Sequence, residues 1–153
     1  MKLLVFSDSH GKTEPMRRMI EREAPDQIVH LGDYVRDAEA LRAQFPALPL
    51  VSVCGNCDGL GAAAPERAEF TFDGVNVFAC HGHRYNVKYG LDALKNALWF
   101  SGARLALFGH THRALCADFD GFTLLNPGTA RTSCALVETD GAGNFSARLL
   151  DME

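Results

Sequence analysis

Five short apolar runs of the chain each end abruptly in residues that are rare inside strands. The residues that follow are Asp, His and Asn, whose side chains bind metal ions. The runs and their followers are 2–6 with Asp8 and His10, 27–31 with Asp33, 50–53 with Asn56, 75–79 with His81 and His83, and 105–108 with His110 and His112. Since the carboxyl ends of parallel strands meet at one edge of a sheet, these scattered residues can converge. The pattern predicts a catalytic metal centre.

The first half of the chain alternates strand and helix, which favours parallel strands. Thr13 is placed to cap the first helix, Pro15 lies in its first turn, and Pro25 ends it. The expected order is a strand at 2–6, this helix, a strand at 27–31, a helix at 37–44 and a strand at 50–53. Such a βαβαβ succession predicts parallel strands joined by right-handed crossovers.

The second half changes to hairpins and short strands, which predicts a second sheet. Asp73-Gly74 separates the runs 69–72 and 75–79, as in a two-residue hairpin turn. A helix at 91–100 and a strand at 104–108 follow, and the remaining β runs are expected to be mostly antiparallel. The fold class is therefore α/β, with a two-sheet β-sandwich flanked by helices in four layers, α/β/β/α.

Length and charge restrict the kinds of protein that this chain can be. Its 153 residues are expected to form a single domain over 1–153. No apolar window reaches the length of a membrane span, so a cytoplasmic protein without a membrane partner is expected. The formal net charge of −4 and the dispersed Lys and Arg argue against binding of long nucleic acid. A small anionic substrate is still compatible, because bound cations would dominate the local field.

The five cysteines indicate neither a disulfide framework nor a redox pair. Cys54 and Cys57 do form a C-x-x-C. Gly55 and Asn56 between them indicate a loop, however, whereas a redox pair opens a helix. A structural zinc site would need a second pair of ligands.

Two pairs of strand-end residues are spaced to reach into one centre. Asp8 and His10 are one residue apart, and so are His110 and His112. In an extended segment the two members of each pair would point to the same side, about 6–7 Å apart. That separation suits one ion or two adjacent ions.

Asp33 has a carboxylate, and the two oxygens of a carboxylate can bridge two cations. It follows Gly32, whose missing side chain would let backbone and ion approach closely. Two divalent ions, the carboxylates of Asp8 and Asp33 and a bridging hydroxide leave a charge of about +1, which suits a substrate with one negative phosphate charge. The mixed imidazole, carboxylate and amide ligands favour Mn²⁺, with Fe, Zn²⁺ and Ni²⁺ as alternatives, over Ca²⁺.

The motifs, in their order along the chain, closely resemble those of the calcineurin-like metallophosphoesterase superfamily. They are Asp8-x-His10, Gly32-Asp33, Gly55-Asn56-Cys57-Asp58, His81 and Gly109-His110-x-His112. The short length and the Asn126-Pro127-Gly128-Thr129 segment resemble the small prokaryotic phosphodiesterase branch, which shares its fold with the scaffold subunit of the retromer coat.

This resemblance implies a ligand set and a reaction. One ion would be held by Asp8, His10, Asp33 and His112, and the other by Asp33, Asn56, His81 and His110. The implied activity is hydrolysis of a small phosphodiester by a hydroxide that both ions activate, with Asp33, Asn56, His81 and His83 as the catalytic residues. We place His83 at the phosphate or in the role of the proton donor.

Two other functions fit the same resemblance. One is a non-catalytic protein-binding scaffold, which the complete set of ligands disfavours. The other is a phosphomonoesterase or a hydrolase of dinucleoside polyphosphates or cyclic nucleotides. The choice among substrates is expected to depend on the loops 59–64 and 84–90, and the sequence does not identify the substrate.

Several residues near the motifs have structural interpretations. His30, inside a predicted strand, is expected in the core or behind the metal ligands. Asn126 and the two residues after it are expected to form a tight turn. Trp99 and Phe100 are interpreted either as core residues or as a subunit contact of a possible homodimer.

Cys57 generates the first prediction, because many relatives have His there as the acid that protonates the leaving group. A thiol is a weaker proton donor than an imidazolium. The protein should therefore hydrolyse diesters with poor leaving groups slowly. Cys57→His is expected to raise kcat on alkyl-leaving-group diesters towards the roughly 10²–10⁴-fold that general acid catalysis contributes. Unchanged activity on those substrates would contradict this role for position 57.

Overall fold

The computed structural model describes residues 1–152 and contains, within them, ten strands and three α-helices. The strands are β1 (Lys2–Phe6), β2 (Gln27–His30), β3 (Leu50–Ser52), β4 (Arg67–Phe72), β5 (Val75–Cys80), β6 (Leu105–Leu107), β7 (Leu115–Phe119), β8 (Phe122–Asn126), β9 (Ser133–Thr139) and β10 (Phe145–Asp151). The helices are α1 (Thr13–Glu23), α2 (Val35–Gln44) and α3 (Asp92–Ser101).

The strands form two mixed sheets of five strands each. The first sheet has the order β10-β9-β1-β2-β3, and the second has the order β4-β5-β6-β8-β7. The parallel pairing of β1, β2 and β3 confirms the βαβαβ prediction. The tail is mostly antiparallel, as expected, but β8 pairs parallel with β6. Both sheets therefore have a parallel centre, where strand ends can carry a site.

Strand β1 shows why the chain forms four layers. Its residues Leu3 and Val5 pack between the two sheets, whereas Leu4 and Phe6 pack under the helices. All four side chains are fully buried. A strand covered on both faces reads as a continuous apolar run, so the run at 2–6 follows from its central position. Each such buried side chain contributes about 1.5–3 kcal/mol.

The helices cover the outer faces of the two sheets. Met16 of α1 and Leu41 of α2 pack on the first sheet. Leu94 and Leu98 of α3 pack on the second. The predicted α/β/β/α sandwich is thus confirmed.

The ends of two helices differ from the predictions. Thr13 is the first residue of α1 and not its cap. The cap position is Lys12, whose side chain makes no capping hydrogen bond. Helix α2 begins at Val35 rather than at residue 37, because the carboxylate of Asp58 accepts the N–H of Val35 at 2.7 Å. The residue that caps the helix lies 23 positions further along the chain, so no local sequence pattern indicates this start.

The predicted hairpin turn is confirmed. Phe72 of β4 pairs with Val75 of β5, so Asp73 and Gly74 form a two-residue loop. Both loop residues have positive φ, 44° and 85°, as the right-handed twist of a hairpin requires.

Trp99 and Phe100 lie at the end of α3 and are 67% and 88% exposed. Their interpretation as core residues is wrong. The subunit contact stays a prediction. Among residues 1–152, no helix has the length and apolar character needed to cross a membrane.

Candidate metal centre

Four of the strand-end residues meet at the carboxyl edges of both sheets. Donor atoms of Asp8, His10, Asp33 and His112 all lie within 4.8 Å of one another. Nε2 of His112 is 3.1 Å from Oδ1 of Asp8, and Nε2 of His10 is 3.9 Å from Oδ2 of Asp33. Residues separated by up to 104 positions thus form one cluster able to hold a cation.

A second group of donor atoms surrounds the ring of His81. Its Nε2 lies 3.1 Å from Oδ1 of Asn56, 3.2 Å from Nδ1 of His110 and 3.5 Å from Oδ2 of Asp33. Its Nδ1 lies 2.8 Å from the carbonyl oxygen of Leu31, which can only accept, so Nδ1 carries the proton. Nε2 therefore faces an amide oxygen, a carboxylate oxygen and an imidazole nitrogen, all of which are atoms that can bind a metal ion. One proton could satisfy a single contact here, whereas a cation could satisfy all of them.

Unpaired buried atoms mark the same place. Among residues 1–152, three buried side-chain atoms have no hydrogen-bond partner: Oδ1 of Asp8, Nε2 of His10 and Nδ1 of His83. A buried polar atom without a partner costs about 1–3 kcal/mol, and more when it is charged. A divalent cation is a partner that a carboxylate oxygen and an imidazole nitrogen can share, so the donors fit a metal ion.

The ligand pairs do not lie in extended chain, and that expectation is wrong. Asp8, His10, Asp33, His110 and His112 have φ between 47° and 70°, in the left-handed region. Each such residue costs of the order of 1–3 kcal/mol. The side chains converge because the backbone turns sharply after each strand, and the surrounding contacts hold those turns.

Asp8 is held so that one carboxylate oxygen remains free. Its Oδ2 accepts hydrogen bonds from Oγ of Ser7 at 2.5 Å and from the N–H of His110 at 3.1 Å. Oδ1 is left pointing towards His112. The loop after β6 can approach this closely because Gly109 has no Cβ, which would stand 2.0 Å from Oγ of Ser7. The two sheets therefore interlock at Asp8.

Asp33 has a comparable division between its two oxygens. Oδ1 accepts the N–H of Cys57 at 3.0 Å, while Oδ2 faces both His10 and His81. Burial alone would raise the pKa of Asp33, but the nearby His81 and the hydrogen bonds from Cys57 outweigh burial and lower it. Oδ2 lies between the two groups of donors, where a bridging ligand would stand.

Gly32 allows the close approach of backbone that was expected. A Cβ on Gly32, where φ is +97°, would lie 2.6 Å from the backbone nitrogen of Gly55. The missing side chain thus admits the loop after β3, and the close approach of an ion stays a prediction. That loop carries Asn56 and Cys57, so the contact places both beside Asp33.

Asp58, whose role the motifs left open, organises this loop. Its carboxylate accepts four backbone N–H groups, those of Asp33 at 3.0 Å and of Tyr34, Val35 and Gly55 at 2.7 Å each. It therefore joins the loops after β2 and β3 and caps helix α2. The sequence could have predicted its local bond to Gly55, three residues earlier, as part of a turn. Its other partners lie 23 to 25 positions away, and no local pattern indicates them.

His30 and Asp37 form a buried network behind Asp8 and His10. Nδ1 of His30 accepts the N–H of Gly32 at 3.3 Å, so its Nε2 donates to Oγ of Ser9 at 2.9 Å. Ser9 donates in turn to Oδ2 of Asp37 at 2.7 Å. Burial lowers the pKa of His30 to about 4, so the ring is neutral. The expectation that His30 lies behind the ligands is confirmed.

Asp37 is a residue that sequence reasoning missed. It is 5% exposed, and its Oδ2 also accepts the N–H of Gly11 at 2.7 Å, which fixes the turn after His10. An acid in the first turn of a helix is common, and only its burial distinguishes this one.

Asn126 fixes the loop of His110 and His112 from below. Its fully buried side chain donates to the carbonyl of Gly109 at 3.1 Å and to Oγ1 of Thr111 at 3.0 Å. Its Oδ1 accepts the N–H of Gly128 at 2.9 Å, as in the tight turn that was expected.

His83 and Cys57 border the group around His81. The ring centroid of His83 lies 5.4 Å from that of His81 and 6.1 Å from that of His110. Burial, with His81 and Arg84 nearby, lowers the pKa of His83. Cys57 is exposed, and partial burial together with the charge of Asp33 raises the pKa of its thiol. Burial, then His81 and Lys88, lowers the pKa of His110 to about 4.

The family of the chain follows from its sequence as a whole. The family sequence model of the calcineurin-like phosphoesterase superfamily domain matches residues 1–142 of this chain. The chain is 32% identical over 134 residues to the probable metallophosphoesterase YsnB of Bacillus subtilis, covering 86% of this chain and 76% of that protein. It is 26% identical over 149 residues to phosphodiesterase MJ0936 of Methanocaldococcus jannaschii, covering 84% and 83%. The chain belongs to the calcineurin-like metallophosphoesterase superfamily, among its small prokaryotic members.

Solved structures agree with this fold. A predicted phosphoesterase from Streptococcus pneumoniae superposes with a TM-score of 0.79 at 26% identity, covering 99% of this chain and 89% of that one. Vps29 from Entamoeba histolytica, in a complex with Zn²⁺, also superposes with a TM-score of 0.79, at 18% identity and over 100% of both chains. The second likeness concerns the fold alone.

Asp58→Asn tests the role of Asp58 as the organiser of the site loops. The amide keeps the shape but loses the charge and one acceptor, so about 1–3 kcal/mol of unfolding free energy should be lost in urea melts. Metal affinity, measured by calorimetry with Mn²⁺, should fall about 10–100-fold.

Asp92→Asn is the matched control, because Asp92 also lies in the first turn of a helix but is exposed. It should change the unfolding free energy by less than about 1 kcal/mol and leave Mn²⁺ affinity unaltered. Equal effects of the two substitutions would contradict the assigned role of Asp58.

Proposed function

We propose that this protein is a metal-dependent phosphodiesterase with two divalent cations bridged by Asp33. The observation that carries the proposal is the position of Oδ2 of Asp33, which is 3.9 Å from His10 on one side and 3.5 Å from His81 on the other. Its other oxygen is already occupied by the N–H of Cys57. The oxygen between the two groups of donors is therefore the better placed of the two to reach ions.

The proposed ligands divide into two sets that share Asp33. Asp8, His10 and His112 would complete the first set, in agreement with their mutual distances of at most 4.8 Å. Asn56, His81 and His110 would complete the second, and their donor atoms lie 3.1–3.2 Å from Nε2 of His81. We expect Mn²⁺ in both positions, with Fe, Zn²⁺ or Ni²⁺ as substitutes, because the ligands are oxygen and imidazole nitrogen without thiolate.

When bound, two divalent cations would supply a water of lowered pKa and would neutralise the charge that develops at phosphorus. The protein contributes position and proton control. Asp8 and Asp33 place their free oxygens through hydrogen bonds to the backbone of other loops. Such prepared geometry needs little rearrangement during the reaction.

His83 and Cys57 are proposed to act on the substrate. A lowered pKa keeps His83 neutral near pH 7, so the ring can donate one N–H to a phosphate oxygen. Cys57 borders Asp33 and takes the place of the usual histidine near the leaving group. Because its raised pKa keeps the thiol protonated yet weakly acidic, the activity should favour diesters with good leaving groups.

The net charge of the proposed site favours diester substrates over monoester substrates. Two divalent ions, two carboxylates and one hydroxide leave about +1, which one negative phosphate charge balances. The relative MJ0936 is named a phosphodiesterase, which supports the same choice. A monoesterase or nucleotide hydrolase is the alternative on the same residues.

A protein-binding scaffold is the second candidate, favoured by the likeness to Vps29. That Vps29 structure contains Zn²⁺, so metal binding alone would not distinguish a scaffold from an enzyme. His83 favours the enzyme, because it is not one of the proposed ligands and its buried, unpaired Nδ1 is available to a substrate, which a scaffold would not need.

Hydrolysis of bis(p-nitrophenyl) phosphate and p-nitrophenyl phosphate with Mn²⁺ tests the proposal. The diester should be hydrolysed at least about tenfold faster than the monoester, and a chelator should abolish both. Asp33→Asn should lower kcat by at least about a hundredfold, because it weakens a ligand shared by both ions.

Asp120→Asn serves as the matched control. Asp120 is exposed and has a left-handed backbone like that of Asp33, φ 46° against 54°, so the same exchange is made at the same conformation. It should leave activity unaltered. Absence of hydrolysis in the metal-loaded protein, or a preference for the monoester, would contradict the proposal.

A further inference from the structure

Two open cavities are lined by residues from the loops that carry the proposed metal ligands. The first has a volume of about 620 Å³ and is lined by Thr111, which lies between His110 and His112. The second has a volume of about 600 Å³ and is lined by Cys57, beside Asp33. Each is within the size range of a small-molecule site. A phosphodiester carries two ester groups on one phosphorus, so two cavities beside the two ligand-bearing loops suit its two arms.

The first cavity combines an apolar wall with positively charged side chains. Its wall includes Val87, Leu91 and Leu115. Lys88 and Arg113 also line the cavity, and its lining residues include no Asp or Glu. Both cations are exposed, and neither forms an ion pair with any residue of the range 1–152. An aromatic or otherwise planar group with an extra negative charge is complementary to such a cavity.

The second cavity has a different character. Arg36 and Glu39 both line it, so its charges are of mixed sign. Arg36 is also engaged, with its guanidinium 4.5 Å from the centre of the Tyr34 ring. Cys57, the proposed proton donor, lines this cavity and not the first. The leaving group is therefore expected on this side.

We propose that the first cavity binds the ester group that stays on phosphorus, and that it selects a planar group bearing an additional negative charge through Lys88 and Arg113. This rests on the proposed function and names its substrate class. In the reaction, water adds its oxygen to phosphorus, the P–O bond to the group in the second cavity breaks, and that alcohol leaves with a proton. The product held in the first cavity is a phosphomonoester.

Two diesters with the same leaving group test the selection. Both release p-nitrophenolate, and the retained group is 4-carboxyphenyl in one and phenyl in the other. The wild-type protein with Mn²⁺ should show a kcat/KM about tenfold higher for the carboxyphenyl diester. Lys88→Ala and Arg113→Ala should each lower that preference about fivefold, since each removes one charge-assisted contact at an exposed site.

Arg148→Ala is the charge-matched control, because Arg148 on β10 lies outside both cavities. It should leave the preference and the basal activity unchanged. Equal kcat/KM values for the two diesters in the wild-type protein would overturn the proposal while leaving the phosphodiesterase activity intact. An equal loss of preference in Arg148→Ala would overturn it as well.

A binding measurement separates this proposal from the activity. In the metal-free protein, titration with 4-carboxyphenyl phosphate should shift the backbone amide signals of Lys88, Leu91 and Leu115 in NMR spectra. The signals of Ala62 and Ala63, in the second cavity, should not move. If neither diester is hydrolysed but these shifts occur, the phosphodiesterase proposal fails and the binding site stands. If the first-cavity signals do not shift, the binding site is refuted.

Discussion

The structure of the site depends on how Asp33 is anchored. One carboxylate oxygen of Asp33 is fixed by the N–H of Cys57. The backbone from Asp33 to Val35 and that of Gly55 are fixed by Asp58, which accepts four N–H groups from these two loops. The remaining oxygen is thereby directed between His10 and His81. If Asp33 could rotate freely, the two groups of donors would share no ligand. The proposed two-ion centre depends on this anchoring of the carboxylate.

The fold sustains a site that is costly in isolation. Five of the proposed metal ligands have a left-handed backbone conformation. Among residues 1–152, three buried side-chain atoms have no hydrogen-bond partner. Such costs persist only where surrounding contacts determine the geometry. Here those contacts come from the His30–Ser9–Asp37 network behind one loop and from Asn126 behind another. Bound cations would recover part of the cost, so metal binding should also stabilise the folded chain.

Much of the fold and of the ligand cluster could be predicted from local patterns. Continuous apolar runs reveal buried central strands, and Asp or His directly after a run reveals a site at the strand end. The contacts that hold the ligands could not be predicted, because Asp58, Asp37 and Asn126 act on backbone atoms far away in sequence. The same limit explains why Asp8 and His10 were expected in extended chain: their turns are imposed by contacts with other loops. The close backbone approach expected at Gly32, by contrast, is confirmed by its contact with Gly55.

Anomalous diffraction from crystals grown with Mn²⁺, measured at the manganese absorption edge, tests the bridging role of Asp33 most directly. Two anomalous peaks about 3.5–4 Å apart are expected, with the carboxylate of Asp33 in contact with both. A single peak, or two peaks of which only one contacts Asp33, would contradict a jointly held pair of ions.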